Sequence, residues 1–204
     1  MTKKQQLRLR VFAGPNGSGK TSLLKTLLGL LPLTGGSIAI DGAAPRRGNS
    51  SIGYIPQQKS LDSGLPMQGR DLVGMGFNGH AFGLASQAKR KEANRRVDEA
   101  LQQVNATAYA NQPIGLLSGG EQQRLRIAQA LVGKPKLLLC DEPLLSLDLA
   151  SQQAITELIH DYCKRENVTV LFVTHEINPV LPWVDRILYF ADVKWVIDSP
   201  DKVL

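Results

Sequence analysis

The sequence has few cysteines, since only Cys140 and Cys163 occur in 204 residues. Two cysteines without metal-ligand spacing exclude a disulfide framework and a structural zinc site, and they are typical of a protein in a reducing compartment. Cys140 lies within an apolar run, so we expect its side chain to pack in the core.

A long apolar run is also missing. No stretch approaches the roughly 20 apolar residues of a transmembrane helix, and the opening MTKKQQLRLR lacks the apolar segment of a signal peptide. We expect a soluble chain that remains in the compartment where it is made. A hydrophobic content of 43% and a charged content of 21% are ordinary globular values, so the chain can bury a sizeable core.

Acidic residues are fewer than basic ones, 18 against 24, which gives a net charge of +6. This excess favours a polyanionic partner, which could be a nucleotide, a nucleic acid or the anionic face of a membrane. Part of it is a local cluster at Lys89, Arg90, Lys91, Arg95 and Arg96. A helix with such a cluster is more often a solvated face than a binding site, so charge alone does not choose among these partners.

Residues 14–21, GPNGSGKT, fit the pattern G-x-x-x-x-G-K-[ST] at every fixed position. RLRVFA before them predicts a short buried strand, and SLLKTLLGLL after them predicts a helix. This context predicts a phosphate-binding loop, because the glycines let backbone N–H groups point inward and the helix adds its positive end. The alternative is a glycine turn before a helix, since the bare pattern arises by chance in on the order of one chain in a hundred of this length.

We predict that this loop binds a nucleotide. Lys20 would reach the β- and γ-phosphates, and the Thr21 hydroxyl would lie on Mg²⁺. The residues predicted to bind the nucleotide are Gly14, Pro15, Asn16, Gly17, Ser18, Gly19, Lys20, Thr21 and Ser22.

Polar side chains follow three predicted strands. Asp141 and Glu142 end the apolar run KLLLCDE, His175 follows VTVLFVT, and Gln57 follows SIGYIP. Parallel strands end at the same edge of a sheet, so His175 should lie near the two carboxylates. Asp141 could hold Mg²⁺ through water, and Glu142 could orient or deprotonate the attacking water. Gln57 could ligate Mg²⁺ or hold water, but its simpler interpretation is a polar residue where a strand stops.

The stretch LLSGGEQQRLRIAQALVGKP, residues 116–135, predicts a helix capped by Ser118, Gly119 and Gly120. Such a cap offers exposed amides, a hydroxyl and a favourable dipole, so it could be a second anion site. An ordinary capped helix explains the same residues equally well, and both interpretations stay open. Asp148 is interpreted first as another helix cap.

The pattern as a whole predicts an α/β protein organised as a single domain over residues 1–204. The glycine-rich segment 58–85 predicts irregular structure with short helices, and an amphipathic helix follows it. We therefore expect an α/β core formed by 1–57 and 116–204, with a helical subdomain inserted at 58–115. Further strands are predicted at 37–42, 51–56, 186–190 and 194–198.

The chain resembles the ATP-binding cassette (ABC) ATPases over its whole length. The resemblance rests on six elements that occur in the family's order, namely the phosphate loop, the strand-end glutamine, LSGG, Asp-Glu, SLD and the strand-end histidine. The resemblance implies a P-loop NTPase fold of the RecA-like type that hydrolyses ATP with Mg²⁺. It implies that Ser118–Gly120 are the signature that contacts the nucleotide, that Asp148 belongs to the dimer-communication loop and that His175 contacts the γ-phosphate.

By the same resemblance, Gln57 is the lid-loop glutamine and Thr21, Gln57 and Asp141 hold Mg²⁺, while Glu142, His175 and Gln57 are catalytic. The family works as a head-to-tail dimer in which each signature covers the ATP held by the other subunit's loop. From the sequence alone, a helix folding back on its strand could equally place the signature in cis.

A narrower resemblance covers residues 54–83. This segment is similar to the ATPases of zinc, manganese and iron importers, which carry a tryptophan segment and then M-G-x-x-G-H. Met75–His80 keeps that spacing, but Leu61-Asp62-Ser63 replaces the tryptophan. We expect Met75 and Phe77 in the core and a structural role for His80.

The resemblance implies an importer subunit that lies in the cytoplasm, peripheral on the inner face of the cell membrane. Its implied partners are a second copy of the ATPase subunit, a transmembrane permease docked on the helical lobe and, indirectly, an extracytoplasmic solute-binding protein. No direct nucleic-acid partner is expected. Two rivals stay open, namely a soluble ABC protein acting on nucleic acid and a truncated nucleotide-binding module without turnover.

Two departures from the family pattern matter. These ATPases begin with two more strands and an aromatic residue that stacks on adenine, whereas only Phe12 is aromatic before Gly14 here. The N-terminal antiparallel strands are therefore expected to be short or missing. The signature also ends in Glu121 rather than the commoner glutamine, and we expect this carboxylate to point away from the phosphates, which the first turn of a helix permits.

Overall fold

The computed structural model describes residues 9–15, 17–57, 66–78, 86–191 and 194–203. Of the predicted positions, Asn16 in the phosphate loop, His80 and the segment 61–63 lie outside the described residues.

A six-stranded, mostly parallel sheet forms the centre of the described structure. Its strands are β1 (Leu9–Ala13), β2 (Ile52–Ile55), β3 (Leu137–Asp141), β4 (Thr169–Thr174), β5 (Arg186–Ala191) and β6 (Lys194–Asp198). The order across the sheet is β2-β3-β4-β1-β5-β6, and only the β5–β6 pair is antiparallel. The predicted α/β class with a parallel core is confirmed.

Helices cover both faces of this sheet. They are α1 (Lys20–Leu27), α2 (Gly69–Asn78), α3 (Gln87–Gln103), α4 (Gly119–Leu131), α5 (Leu149–Glu166) and α6 (Pro200–Val203). Short 3₁₀ turns lie at Thr107–Tyr109, Ile114–Leu116 and Leu181–Trp183. Within the part of the chain that the structure describes, no helix has both the length and the apolar character that crossing a membrane requires.

The two faces of the sheet build two separate apolar clusters. Val11, Cys140 and Phe172 point to the face that carries the larger cluster. The opposite face carries a smaller cluster around Phe12, which packs with Leu24 of α1. Strands buried on both faces need continuous apolar runs rather than alternation, which explains why KLLLC and VLFV read so clearly as parallel strands.

The strand predicted at 37–42 is wrong. Only an isolated bridge joins Ile40 to Ala43, and Asp41 and Gly42 form a turn with φ values of 53° and 79°. Alternating Ile38 and Ile40 give the segment the pattern of a strand. A strand also needs a neighbour to satisfy its backbone groups, and none of the described residues pairs with this segment beyond that bridge.

The segment 58–85 was expected to be irregular with short helices, and a short helix, α2, occupies Gly69–Asn78 where the structure describes it. Glycine has low helix propensity, but here its missing side chain lets α2 lie directly on α4. A Cβ placed on Gly76 would lie 2.0 Å from the Gln129 carbonyl oxygen of α4, and one on Gly69 would lie 2.7 Å from Leu125. Tertiary packing therefore stabilises a helix that propensity alone disfavours.

Gly69 and Gly76 lie on the face of α2 that contacts α4, so the larger side chains of α2 lie on its other faces. Since α2 turns glycines toward α4, Met75 faces outward and is 51% exposed, so its predicted core position is wrong. Phe77 is partly buried against the core, as expected, and its ring lies 5.3 Å beneath the Arg96 guanidinium.

The basic cluster on α3 is a solvated face, on which Lys89, Arg90 and Lys91 are exposed and the two arginines pair with acidic neighbours. Arg95 forms ion pairs with Glu92 and Glu99, and Arg96 lies 2.9 Å from Glu92. Hydrogen bonds from Arg95 and then Arg96 lower the pKa of Glu92 to about 2. These acidic neighbours offset the charges of Arg95 and Arg96, which supports the interpretation of α3 as a solvated face.

The α2–α4 contact gives the first testable prediction. Gly76→Ala should lower the free energy of unfolding by about 1–3 kcal/mol, because a backbone oxygen cannot move aside as a side chain can. Urea unfolding of the purified chain measures this change.

Gly74→Ala is the matched control on the same helix. A Cβ there would lie 3.9 Å from Val97, its nearest contact. Alanine also has better helix propensity by roughly 1 kcal/mol, so this variant should be as stable as the parent or more so. Equal destabilisation by both substitutions would show that the close approach to α4 does not matter.

Candidate functional site

The predicted phosphate loop follows β1 and leads into α1. A Cβ placed on Gly14 would lie 2.4 Å from the Phe190 carbonyl oxygen of β5, so only glycine fits this position. Gly17 and Gly19 have φ values of 83° and 95°, which other residues rarely adopt. The loop conformation thus explains why the motif has glycines at these positions. Gly19 is the last residue of the loop before the helix and the N-cap of α1.

The side chains of this loop carry polar groups suited to phosphate. The Lys20 ammonium is buried and donates to the carbonyl oxygens of Gly14, at 2.7 Å, and Pro15, at 2.9 Å. The Ser18 hydroxyl is buried and has no hydrogen-bond partner among the described residues. Thr21 and Ser22 are exposed on the first turn of α1, whose unpaired N–H groups and dipole favour an anion.

Asp141 is the last residue of β3 and is only 5% exposed. Burial, and then the neighbouring Glu142 carboxylate, raise its pKa, while a hydrogen bond from Tyr54 and the charge of Lys20 oppose the rise. The Tyr54 hydroxyl donates to Asp141 Oδ2 at 3.3 Å. A buried carboxylate that costs free energy when charged is a good ligand for a cation, which would offset that cost.

Tyr54 was not among the residues predicted for the site. Burial, followed by the charge of Asp141, raises its pKa to about 12, so it remains a hydrogen-bond donor at neutral pH. Its position could have been inferred from strand register. Tyr54 pairs with Leu139, and side chains two apart on a strand share a face, which places Tyr54 on the same side of the sheet as Asp141.

Glu142 and His175 meet where β3 and β4 end. His175 Nδ1 lies 2.8 Å from Glu142 Oε2. The backbone N–H of Glu142 donates to the Val173 carbonyl oxygen at 2.9 Å, and its φ of 48° lies in the left-handed region. The predicted proximity of His175 to Glu142 is confirmed.

A cavity of about 240 Å³ brings the separate motifs together. Residues from the loop, from the end of β2 and from the end of β3 surround it, and they are Gly17, Gly19, Lys20, Thr21, Ser22, Gln57, Asp141 and Glu142. The hydroxyl, amide and carboxylate oxygens of Thr21, Gln57 and Asp141 are the hard donors that Mg²⁺ prefers, so these residues fit the ion.

The LSGG segment lies outside the lining of that cavity. Ser118 is the N-cap of α4 and forms a capping box with Glu121. Glu121 Oε2 accepts hydrogen bonds from the Ser118 N–H, at 2.8 Å, and from its hydroxyl, at 2.7 Å. The carboxylate is thus held back against its own helix terminus, and the predicted capped helix is confirmed.

Asp148 is also a helix cap, as its first interpretation predicted. Its Oδ1 accepts from the Ser151 N–H at 2.9 Å, and its Oδ2 accepts from the Ser151 hydroxyl at 2.8 Å. These hydrogen bonds lower the pKa of Asp148. A Cβ on Gly120 would lie 3.2 Å from the same Ser151 hydroxyl, so the two caps are neighbours. They form a second polar cluster (Ser118–Gly120 with Asp148 and Ser151) apart from the cavity.

The raised pKa of Asp141 predicts how stability depends on pH. Above that pKa the folded protein buries the negative charge of Asp141, which the unfolded chain exposes to water, and this burial is unfavourable. Asp141→Asn removes the charge and should therefore raise the free energy of unfolding at neutral pH. The gain should shrink as the pH falls through the raised folded pKa, because the parent then binds a proton more readily when folded. Urea unfolding at pH 7 and at mildly acidic pH measures both effects.

Tyr54→Phe is the opposing control, because it removes the hydrogen bond that favours the Asp141 carboxylate. It should lower the free energy of unfolding at pH 7 while keeping the ring. A parent that is more stable than Asp141→Asn at pH 7 would contradict the assignment of a destabilising buried charge.

Comparison with known proteins places the chain in a family. Residues 4–145, more than half of the chain, match the family described as "ABC transporter". The zinc transport system ATP-binding protein TroB of Treponema pallidum is 36% identical over 180 residues, which are 88% of this chain and 66% of that protein. The manganese transport system ATP-binding protein MntB of Bacillus subtilis is 38% identical over 175 residues, 86% of this chain and 69% of that protein. The chain thus spans about two thirds of the length of these relatives.

Solved structures agree with the sequence matches. An inward-facing metal-chelate type ABC transporter superposes with a TM-score of 0.83 at 30% identity, over 97% of this chain and 74% of that one. A dimeric ATP-binding cassette in a post-hydrolysis state, bound to ADP and phosphate, superposes with a TM-score of 0.76 at 27% identity, over 98% of this chain and 88% of that one. The chain therefore belongs to the ABC transporter family and has the P-loop fold of its ATPase domains.

Proposed function

We propose that this chain is the ATP-hydrolysing subunit of an ABC importer for divalent metal ions. The observation that carries the proposal is the cavity lined by the Lys20 loop, Asp141 and Glu142, together with the contact of Glu142 with His175 at 2.8 Å. Each of these groups has a role in phosphoryl transfer, and their convergence is the arrangement that hydrolysis of a nucleoside triphosphate requires.

The loop binds the triphosphate. Its backbone N–H groups and the start of α1 cradle the phosphates, and Lys20 exchanges its loop carbonyls for the β- and γ-phosphate oxygens. The buried Ser18 hydroxyl gains the acceptor that it lacks among the described residues. Thr21, Gln57 and Asp141 hold Mg²⁺, which supplies charge neutralisation for the phosphate oxygens.

Glu142 and His175 carry out the hydrolytic step. The Glu142 carboxylate orients a water molecule and accepts its proton as the water oxygen bonds to the γ-phosphorus and the bond to the ADP oxygen breaks. The hydrogen bond from His175 Nδ1 fixes the carboxylate at the end of β3. Gln57 supports the attacking water at the end of β2. Most of the acceleration would come from positioning and electrostatics.

The polar cluster of Ser118–Gly120 with Asp148 acts on a second subunit. In a head-to-tail dimer its exposed amides and hydroxyl cover the nucleotide held in the partner's loop, and Asp148 communicates between the sites. Two observations support this arrangement over one in cis. The cluster lies outside the lining of the chain's own cavity, and the related post-hydrolysis cassette is a dimer.

The transported substrate is a divalent metal ion such as zinc or manganese, which relatives with 36% and 38% identity carry according to their names. The subunit would lie in the cytoplasm on the inner face of the membrane, with a permease docked on the 58–115 subdomain and a solute-binding protein on the far side. The exposed Met75 on α2 suits a docked apolar partner.

The catalytic assignment is tested with Glu142→Gln. This variant should bind ATP with unchanged affinity, because the amide keeps the size of the side chain. It should lower turnover by about 10²- to 10⁴-fold, because the proton acceptor is lost. With ATP and Mg²⁺ it should also accumulate as a dimer in size-exclusion chromatography.

Glu166→Gln, at the exposed end of α5, is the matched control and should hydrolyse ATP at the parent's rate. Hydrolysis by Glu142→Gln at that same rate would refute the assigned role.

The substrate assignment is tested in the organism of origin. Deletion of the gene should lower cell-associated zinc or manganese, measured by mass spectrometry in metal-limited medium. The parent gene should restore the metal content, and Lys20→Ala, which removes the phosphate-binding ammonium, should not. Unchanged content of both metals in the deletion strain would refute the substrate, while leaving ATP hydrolysis in vitro unaffected.

A further inference from the structure

Trp195 lies near the start of β6, at the edge of the sheet that carries the site. Because β6 runs antiparallel to β5, its first residues lie beside the last residues of β5, and Trp195 pairs with Phe190. The carboxyl end of β5 in turn lies beside the carboxyl end of β1, where the phosphate loop begins. Neighbouring strands are about 4.8 Å apart, so Trp195 lies two strand spacings, on the order of 10 Å, from the strand that carries the loop.

Phe190 connects this tryptophan physically to the phosphate loop. The Phe190 carbonyl oxygen lies so close to Gly14 that a Cβ there would approach it to 2.4 Å. The Phe190 ring meets the Phe12 ring edge-on, with centroids 6.4 Å apart, on the face of the sheet that α1 covers. Directly paired residues of antiparallel strands share a face, so Trp195 extends this aromatic row outward from the loop.

Trp195 is the aromatic side chain in this row that remains open to a ligand. It is 63% exposed, whereas Phe12 is 4% exposed and fully committed to the core. Tyr189 points to the opposite face of the sheet, since it is adjacent to Phe190 on the strand. The Tyr54 hydroxyl is hydrogen-bonded to Asp141. Among the described residues near the loop, Trp195 therefore offers a large exposed indole ring. The ring lies on the face of the sheet that α1 covers, and β1 separates it from Asp141.

We propose that Trp195 is the platform on which the base of the bound nucleotide stacks. The triphosphate in the Gly14–Thr21 loop anchors one end of the ligand, and the adenine ring extends across the end of β5 onto the indole. Every purine presents a flat π-face, and an exposed tryptophan offers a rigid, partly apolar surface for it. This inference rests on the proposed binding of ATP by the loop and adds the site for the base.

The test compares ATP with inorganic tripolyphosphate, which has the phosphates but no base. Trp195→Thr keeps a residue with high strand propensity and removes the ring. Loss of one base–aromatic stack should weaken ATP binding by about 5- to 150-fold, while tripolyphosphate binding stays unchanged. Trp195→Phe should retain most of the ATP affinity. Isothermal titration of each purified variant measures both ligands.

Ile197→Thr is the matched control, because Ile197 lies on the same strand and face, is 41% exposed and is two residues farther from the loop. It should bind ATP like the parent.

A second measurement needs no change at Trp195. The chain has two tryptophans, and Trp183→Phe leaves Trp195 as the only one. Its fluorescence should change with ATP and not with tripolyphosphate.

The outcomes separate the two proposals. If the parent binds neither ATP nor tripolyphosphate, the nucleotide site itself is refuted. If the parent binds both but Trp195→Thr binds ATP equally well, or if the lone Trp195 shows no ATP-specific change in fluorescence, only the stacking platform is refuted. Equal loss of both ligands in Trp195→Thr would show an effect on the loop and would also overturn the platform.

Discussion

Parallel pairing of β1, β3 and β4 is the constraint on which the rest of the site depends. Parallel strands end at one edge of the sheet, so residues more than a hundred positions apart in the sequence are brought together without any contact being specified for each. The register places Ala13 beside Thr174 and Asp141 beside Val173. Gly14, Glu142 and His175 each follow one of these paired residues directly, so all three lie at the same edge of the sheet. A slip of one residue would turn Asp141 to the other face of the sheet.

The same edge concentrates groups that oppose folding. Asp141 is buried beside a second carboxylate, Lys20 is buried against carbonyl oxygens, and Glu142 has a left-handed φ of 48°. Each costs free energy in the protein alone. The apolar clusters on both faces of the sheet offset these costs, and a polyanion with a divalent cation would remove part of them. Ligand binding and stability are therefore coupled through the same few side chains.

Much of the site could be predicted because its signals are local. A glycine-rich loop between a strand and a helix, and polar residues directly after apolar runs, require only the sequence and the rules of parallel sheets. Tyr54 was missed because its role comes from register between strands that are far apart in the chain. The strand at 37–42 was predicted wrongly, and the bounds of α2 were not predicted within a segment expected to be irregular with short helices. In both cases the structure depends on a packing partner that is distant in the sequence. Ile38 and Ile40 have no strand to pair with among the described residues, whereas the glycines of α2 have α4.

The contact between α2 and α4 has a mechanical consequence. Where Gly76 meets the Gln129 carbonyl oxygen, backbone lies against backbone and no rotatable side chain separates the two helices. A displacement of α4 therefore cannot be absorbed by a change of rotamer, and α2 has to follow it as part of one rigid body. Because Ser118 caps the start of α4 and α2 carries the exposed Met75, movement of the Ser118 end of α4 would be transmitted to the surface around Met75.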